Sequence, residues 1–242
     1  MNEKLISKRE LTPEVRQGIN LWIFQAAVGL AGYAIILFLS VLRLDWVWGW
    51  VILGTVTAYL AAHAIILALT NPELLAERAK GLRAPGVKSW DRVVASLGGG
   101  LPIFAWLVAG LDEQFQWTGP LPLAVHLSGW LIMILGYALF LWALASNPFF
   151  SEGVRIQSER GHSVATGGPY RYVRHPGYVG AILTFVATPF LLGSLYALIF
   201  ALPAAALYIV RAFLEDRTLV AELPGYMEYT QQVHYRLLPG VW

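Results

Sequence analysis

Apolar stretches long enough to cross a lipid bilayer dominate this 242-residue sequence and limit what it can fold into. They span roughly 20–42, 46–70, 93–111, 123–145 and 177–214. About 20 apolar residues form one transmembrane helix. Only 13% of the residues are charged, about half the fraction of an ordinary soluble domain. The chain is therefore predicted to be an all-α integral membrane protein.

The last apolar stretch is too long for one crossing, and its breakers divide it. Pro189 and Gly193 lie four residues apart, which predicts a turn between two helices at about 177–191 and 195–214. The expected fold has about six transmembrane helices, the last two forming a helical hairpin. Whether the first helix of the hairpin crosses the whole bilayer is left open by its length.

The distribution of basic residues predicts the orientation, because Lys and Arg concentrate in cytoplasmic loops. Six crossings place all but one of the 17 Lys and Arg on one side, Arg43 being the exception. Both termini are therefore expected in the cytoplasm. The 146–176 loop and the C-terminal tail would form a cytoplasmic cap. The division is then four N-terminal crossings in 1–146 and a cap-bearing region in 147–242.

Other classes of site receive no support from the composition. The sequence has no cysteine, which excludes disulfides, thiolate metal sites and cysteine nucleophiles. No metal is expected. The basic residues are explained by their position in cytoplasmic loops, so no nucleic-acid partner is expected. Oligomeric state is not indicated.

The segment GGPYRYVRHPGYVG, residues 167–180, combines charge, aromatic rings and turn residues at the mouth of a membrane helix. Pro176 suits the first helical position, which places His175 at the helix start. Free N–H groups there favour an anionic ligand. An interfacial anchor, with Arg and Tyr meeting lipid headgroups, is the alternative. The acids Glu215 and Asp216 at the end of the last helix favour a pocket for a cationic ligand, the alternative being a solvated helix end in which Glu215 pairs with Arg211 four residues earlier.

GPYRYVRHPGYVG followed by RAFLEDRTLVAELPGYMEYTQQVHYRLLP resembles the isoprenylcysteine carboxyl methyltransferase and phospholipid methyltransferase superfamily. The resemblance covers about 147–242 and implies an integral-membrane enzyme that uses S-adenosyl-L-methionine. It assigns the cofactor to His162, Tyr170, Arg174, His175, Tyr178, Gly180, Glu215, Asp216, Tyr226 and Tyr229. Asp216 stands where the family more often has a second Glu, and Leu223-Pro224-Gly225 departs from the usual spacing.

The expected reaction is methyl transfer, for which positioning supplies most of the catalysis. Arg174 is the predicted substrate-orienting, catalytic residue, and His162 or His175 would serve as base for an amine. The acceptor is lipophilic or small (a prenylcysteine-type carboxylate, a phospholipid amine or a thiol) and is expected to arrive from the membrane. Two alternatives remain: an NADPH-dependent sterol-reductase-like enzyme, which shares part of the motif, and a non-catalytic membrane scaffold.

Overall fold

A computed structural model of the chain describes residues 11–242. All regular secondary structure in this part is helical, with no strand. Lys4, Lys8 and Arg9, used above for the orientation, lie outside the described residues. The described part contains eight α-helices: α1 (Pro13–Val41), α2 (Val47–Thr70), α3 (Pro72–Arg78), α4 (Ser89–Phe115), α5 (Leu123–Ser146), α6 (Pro176–Leu192), α7 (Leu198–Glu222) and α8 (Tyr226–Gln232).

Five of these helices, α1, α2, α4, α5 and α7, are long and apolar enough to cross a membrane. Helices suit this environment because they satisfy every backbone N–H and C=O internally. α6 is apolar but has only 17 residues, or about 25 Å at 1.5 Å per residue, less than the roughly 30 Å of a hydrocarbon core. The prediction of an all-α, multi-pass membrane protein with about six spans is confirmed.

Glycines bring α5 and α6 together at the centre of the bundle. A Cβ on Gly136 would lie 2.8 Å from the carbonyl oxygen of Gly180, and one on Gly180 would lie 2.6 Å from the carbonyl oxygen of Gly136. Nearer the far end, a Cβ on Gly129 would lie 2.5 Å from the backbone nitrogen of Leu191. Small residues let membrane helices approach closely, so this seam fixes α6 against the longer α5.

The predicted hairpin is formed by α6 and α7, and α6 ends at Leu192, within one residue of the predicted end at 191. Pro189 lies inside α6, and the helix ends before Gly193, whose φ of 78° is left-handed. Asp112, buried at the end of α4, accepts hydrogen bonds from Ser194 Oγ at 2.5 Å and Thr118 Oγ1 at 2.5 Å. The turn is thus tied to the α4–α5 loop.

Three features at the opposite end of the bundle differ from the sequence prediction. α7 extends to Glu222 rather than ending at about 214, so Glu215 and Asp216 lie within the helix. α3 begins after Asn71, whose Oδ1 accepts from the backbone N–H of Leu74 at 3.0 Å, and it was not predicted. α8 follows the left-handed Gly225, which has a φ of 82°. The 147–175 loop, α8 and the tail together form the cap.

Candidate active site

A cleft opens between the cap and the adjacent ends of the bundle helices. It contains about 960 Å³ of empty space, part of it open to solvent. Eight of the ten residues that the sequence assigned to the cofactor line this cleft: His162, Tyr170, Arg174, His175, Tyr178, Glu215, Tyr226 and Tyr229. The structure therefore brings together residues that lie up to 67 positions apart in the chain.

The Gly-Gly-Pro turn places Tyr170 in the wall of the cleft. Gly168 has a φ of 55° and begins a single 3-10 turn, Gly168–Arg171. A Cβ on Gly168 would lie 2.2 Å from Ser146 Oγ, so the turn needs glycine for both conformation and space. Tyr170 is buried, its hydroxyl accepts from Asn147 Nδ2 at 3.3 Å, and its carbonyl accepts from Tyr229 at 2.7 Å.

The Arg-His-Pro motif joins the start of α6 to the C-terminal tail. α6 begins at Pro176 with His175 at the N-cap position, as predicted. The backbone N–H groups of Arg174 and His175 donate to the carbonyls of Tyr235 and Arg236, each at 2.9 Å. These hydrogen bonds hold the tail against the motif, so the tail packs next to the start of α6 as part of the cap.

Asp216 lies behind the cleft and holds this wall together. Its carboxylate accepts from Arg174 Nε at 2.7 Å and Nη2 at 3.0 Å, from Tyr226 Oη at 3.0 Å and from Arg236 Nε at 2.9 Å. His175 Nε2 lies 3.3 Å from the same carboxylate. Asp216 is buried and is not among the residues that line the cleft. Its position indicates that Asp216 orients the residues that line the cleft.

Glu215, its neighbour, faces the opposite way and lines the cleft, where it accepts a hydrogen bond from the Tyr178 hydroxyl. The Tyr178 ring stacks against His175, with ring centroids 5.7 Å apart. Residues next to each other on a helix point in different directions. The Glu215 carboxylate therefore faces the cleft, and the Asp216 carboxylate faces the protein interior. The sequence could not separate these two roles.

Arg174 lines the cleft, but most of its donors are already engaged. In addition to the two bonds with Asp216, its Nη1 donates to the carbonyls of Val233 and His234, both at 2.7 Å. Four of the five guanidinium N–H groups are therefore bonded within the chain. Its predicted role as a substrate-orienting residue would rest on the one N–H that is left.

Gly180 does not line the cleft. Its backbone packs on α5, and a Cβ there would lie 2.9 Å from the nitrogen of Phe140 as well as close to Gly136. Phe140 does line the cleft. Gly180 thus shapes the site indirectly, through the approach of α5 to α6.

His162 lies at the outer wall, with its ring 4.6 Å from that of Phe149. Its Nδ1 accepts from the backbone N–H of Gln157 at 3.2 Å, so the proton of the neutral ring is on Nε2. Burial, with Arg155 and Arg160 nearby, lowers the pKa of the His162 imidazole to about 4. The ring is consequently neutral at physiological pH and presents a hydrogen-bond donor rather than a base.

Three arginines that the sequence analysis did not assign also line the cleft: Arg78, Arg155 and Arg211. Arg211 pairs through Nε at 2.6 Å and Nη2 at 3.0 Å with Asp91 of α4, which has no exposed surface. Arg155 bonds Glu77 of α3 at 2.5 Å. The Asn71-Pro72 cap signal, read as a helix start, would have brought Glu77 and Arg78 into consideration.

Comparison with known proteins identifies the same part of the chain. Residues 129–221 match the model of the isoprenylcysteine carboxyl methyltransferase (ICMT) family. The match runs from α5 into α7 and so contains the Arg-His-Pro motif and the acid pair, but not the tail tyrosines.

A curated relative from Bradyrhizobium diazoefficiens, Methanethiol S-methyltransferase 2, is 34% identical to this chain over 140 residues. The matched part is 55% of this chain and 49% of that protein, so the match spans about half the length of the relative. The two matches together confirm the resemblance of this chain to the superfamily of membrane methyltransferases that includes the isoprenylcysteine carboxyl methyltransferase family.

Proposed function

We propose that this chain is an integral-membrane methyltransferase that uses S-adenosyl-L-methionine, with the cleft as its active site on the cytoplasmic side. The observation that carries the proposal is the position of Glu215, a carboxylate in a cleft walled by Tyr178, Tyr226 and Tyr229. The match to the ICMT family model over residues 129–221 supports the reaction class.

The residues of the cleft fit the chemical groups of this cofactor. Its ammonium and ribose hydroxyls are suited to a carboxylate such as Glu215. Its adenine and sulfonium are suited to tyrosine faces, through stacking and cation–π attraction. Its carboxylate requires an arginine, and four arginines line the cleft. When bound, the cofactor supplies an activated methyl group and is left as neutral S-adenosylhomocysteine.

His175 would accept the proton that the acceptor loses. Its Nε2 faces the Asp216 carboxylate at 3.3 Å, which favours the tautomer with the proton on Nε2 and leaves Nδ1 as a hydrogen-bond acceptor. No hydrogen bond to Nδ1 is formed within the described residues. An acceptor thiol loses its proton as its sulfur gains the methyl group, and His175 Nδ1 would take that proton.

A second cavity supports a small, uncharged thiol as the acceptor. It contains about 770 Å³ of empty space between α1, α2, α4, α5 and α6, part of it open to the outside, and its lining includes Tyr33, Tyr59 and Phe185. Aromatic contacts separate it from the cleft: Tyr59 lies 5.9 Å from Phe140, and Phe185 lies 4.9 Å from Tyr208. An apolar acceptor dissolved in the bilayer would enter this cavity at lower cost than a charged one.

Methyl transfer by the purified full-length chain tests the proposal, with labelled cofactor and three acceptors: methanethiol, a prenylcysteine analogue and extracted membrane lipid. We expect label in the thiol product, and thermal stabilisation of the protein by S-adenosylhomocysteine but not by NADPH. Label only in lipid or in the prenylcysteine analogue would contradict the proposal of a thiol acceptor but would support the methyltransferase activity. Stabilisation by NADPH alone would indicate the reductase, and no cofactor binding would indicate a scaffold.

The route of the acceptor has its own test in the same assay. Gly29 of α1 lines the second cavity, and a Cβ added there would meet no atom within 4 Å, so the Cβ of Gly29→Phe is accommodated and its ring would narrow the cavity. We expect a higher KM for methanethiol and unchanged affinity for S-adenosylhomocysteine. Gly54→Phe is the matched control, since Gly54 of α2 is equally open and lines neither cavity. An unchanged KM in Gly29→Phe would contradict the route.

A further inference from the structure

The four arginines of the cleft differ in the partners that hold them. Arg174 and Arg211 are each bonded through two nitrogens to one carboxylate, those of Asp216 and Asp91. The side chains of these two acids are 4% and 0% exposed. Removing a partner from such a buried pair leaves an uncompensated charge. A ligand carboxylate therefore cannot readily replace either acid.

Arg155 is also bonded to a buried acid, although its two terminal nitrogens bond different carboxylates and its Nε–H, like that of Arg78, has no hydrogen-bond partner within the described residues. It bonds Glu159, which is exposed, but its other partner is Glu77, whose side chain is 5% exposed. Arg78 is different, because the single carboxylate that it contacts is that of Glu152, whose side chain is 40% exposed. The Arg78 side chain is itself only 5% exposed, but the Glu152 carboxylate already reaches solvent, so it is the partner most easily displaced by a ligand.

The bonding of Arg78 is also incomplete. Nη1 donates to the carbonyl of Phe150 at 2.8 Å and Nη2 donates to Glu152, while the buried Nε–H has no hydrogen-bond partner within the described residues. Glu152 thus uses one arm of a fork that can bind a carboxylate through two parallel hydrogen bonds. A buried donor without a partner is costly, so a ligand that bonded both Nε and Nη2 would be favoured over Glu152.

The guanidinium of Arg78 is held in place by its surroundings. Its central carbon lies 5.5 Å from the ring centroid of Phe150 and 5.9 Å from that of Phe140, and both rings line the cleft with Arg78 and Glu152. Contact with ring faces stabilises the charge and limits its movement. The side chain that is free to leave is that of Glu152.

We propose that Arg78 binds the α-carboxylate of the methionine part of the cofactor, and that Glu152 occupies this position in the ligand-free protein and is displaced on binding. The inference rests on the proposed function, because it assigns one group of that cofactor. It places the amino-acid end of the ligand beside α3 and the 150–153 segment, and leaves Glu215 and the tyrosines to the nucleoside.

Two ligands separate the carboxylate from the rest of the cofactor. S-Adenosylhomocysteine carries the amino-acid group, and 5′-methylthioadenosine is the same nucleoside thioether without it. Calorimetric titration of the full-length protein in detergent would give both affinities. For Arg78→Gln we expect S-adenosylhomocysteine to bind about tenfold more weakly or worse, a change of about 1.4 kcal/mol, with the affinity for 5′-methylthioadenosine unchanged. Retained nucleoside binding would also show that the variant is folded.

Glu152→Gln gives the opposite expectation and does not depend on the folding of the first variant. Removing the competing charge should tighten S-adenosylhomocysteine binding severalfold and leave 5′-methylthioadenosine unchanged. Glu159→Gln is the matched control, since it removes an exposed acid from Arg155, and we expect no change with either ligand.

The outcomes distinguish the two proposals. Equal affinity for S-adenosylhomocysteine in the wild type and Arg78→Gln, or weaker binding in Glu152→Gln, would overturn the proposal that Arg78 binds the carboxylate. The proposed function would not be affected by either result. If the wild type bound neither nucleoside, the proposed function would fail and the carboxylate site with it.

Discussion

Asp216 and Arg174 are joined by two hydrogen bonds, 2.7 Å from Nε to Oδ1 and 3.0 Å from Nη2 to Oδ2, and both side chains are buried. They lie 42 positions apart, one at the start of the α6 hairpin and one near the end of α7. The same carboxylate bonds Arg236 and Tyr226. One acid therefore connects the Arg-His-Pro motif, the last membrane helix and the tail.

Asp216→Asn should destabilise the cap as a unit. The substitution leaves the buried Arg174 without a counter-charge, and breaking such a pair costs about 3–5 kcal/mol. We expect a lower melting temperature and faster proteolysis of the tail after Val233. Glu228→Gln, an exposed acid on α8, is the control and should melt like the wild type. A melting temperature equal to that of the wild type in Asp216→Asn would contradict the connecting role.

Glu215→Gln should behave in the opposite way, because this acid faces the cleft. We expect the melting temperature to change little and the affinity for S-adenosylhomocysteine to fall about tenfold or more, since a hydrogen bond to a charged group contributes about 1.5–3 kcal/mol. Titration of the purified variant measures this. Tyr178→Phe, which removes the hydroxyl that Glu215 accepts from, separates the loss of the carboxylate from the loss of its orientation. Full affinity in Glu215→Gln would remove this residue from the site.

The contrast between these two acids shows what the sequence could and could not predict. The number and position of the long helices followed from apolar length, and the start of α6 followed from Pro176. The motifs brought eight of ten proposed residues to one cleft. The direction in which Glu215 and Asp216 point depends on the rotation of α7, which is set by contacts with distant residues such as Asp91. Arg78 was missed because α3 is too short for a periodic pattern.

Stability of the cap should depend on pH through His162. The pKa of His162 in the folded protein is about 4, below its ordinary value of 6.5, so the unfolded chain binds more protons between these values. The contribution of His162 to stability is therefore constant above about pH 6.5 and is lost as the pH is lowered toward 4. Melting temperatures measured across this range would show the decline.

His162→Asn is the variant that isolates this effect. The Asn carbonyl can accept the hydrogen bond from the Gln157 N–H that His162 Nδ1 accepts, and it does not titrate. We expect its stability to decline less between pH 6.5 and 4 than that of the wild type. Parallel declines in the two proteins would assign the pH dependence to other groups.

Gly180→Ala should disturb the cleft from outside it. A Cβ at this position would lie 2.6 Å from the carbonyl oxygen of Gly136 and 2.9 Å from the nitrogen of Phe140, and both are backbone atoms that cannot rotate away. Overpacking of this kind costs about 1–3 kcal/mol. Because α6 must move from α5, Phe140 and Tyr178 in the cleft wall would separate. We expect a lower melting temperature together with weaker S-adenosylhomocysteine binding. Gly54→Ala, on an open face of α2, should change neither quantity, and normal binding by Gly180→Ala would show that the α5–α6 distance does not shape the site.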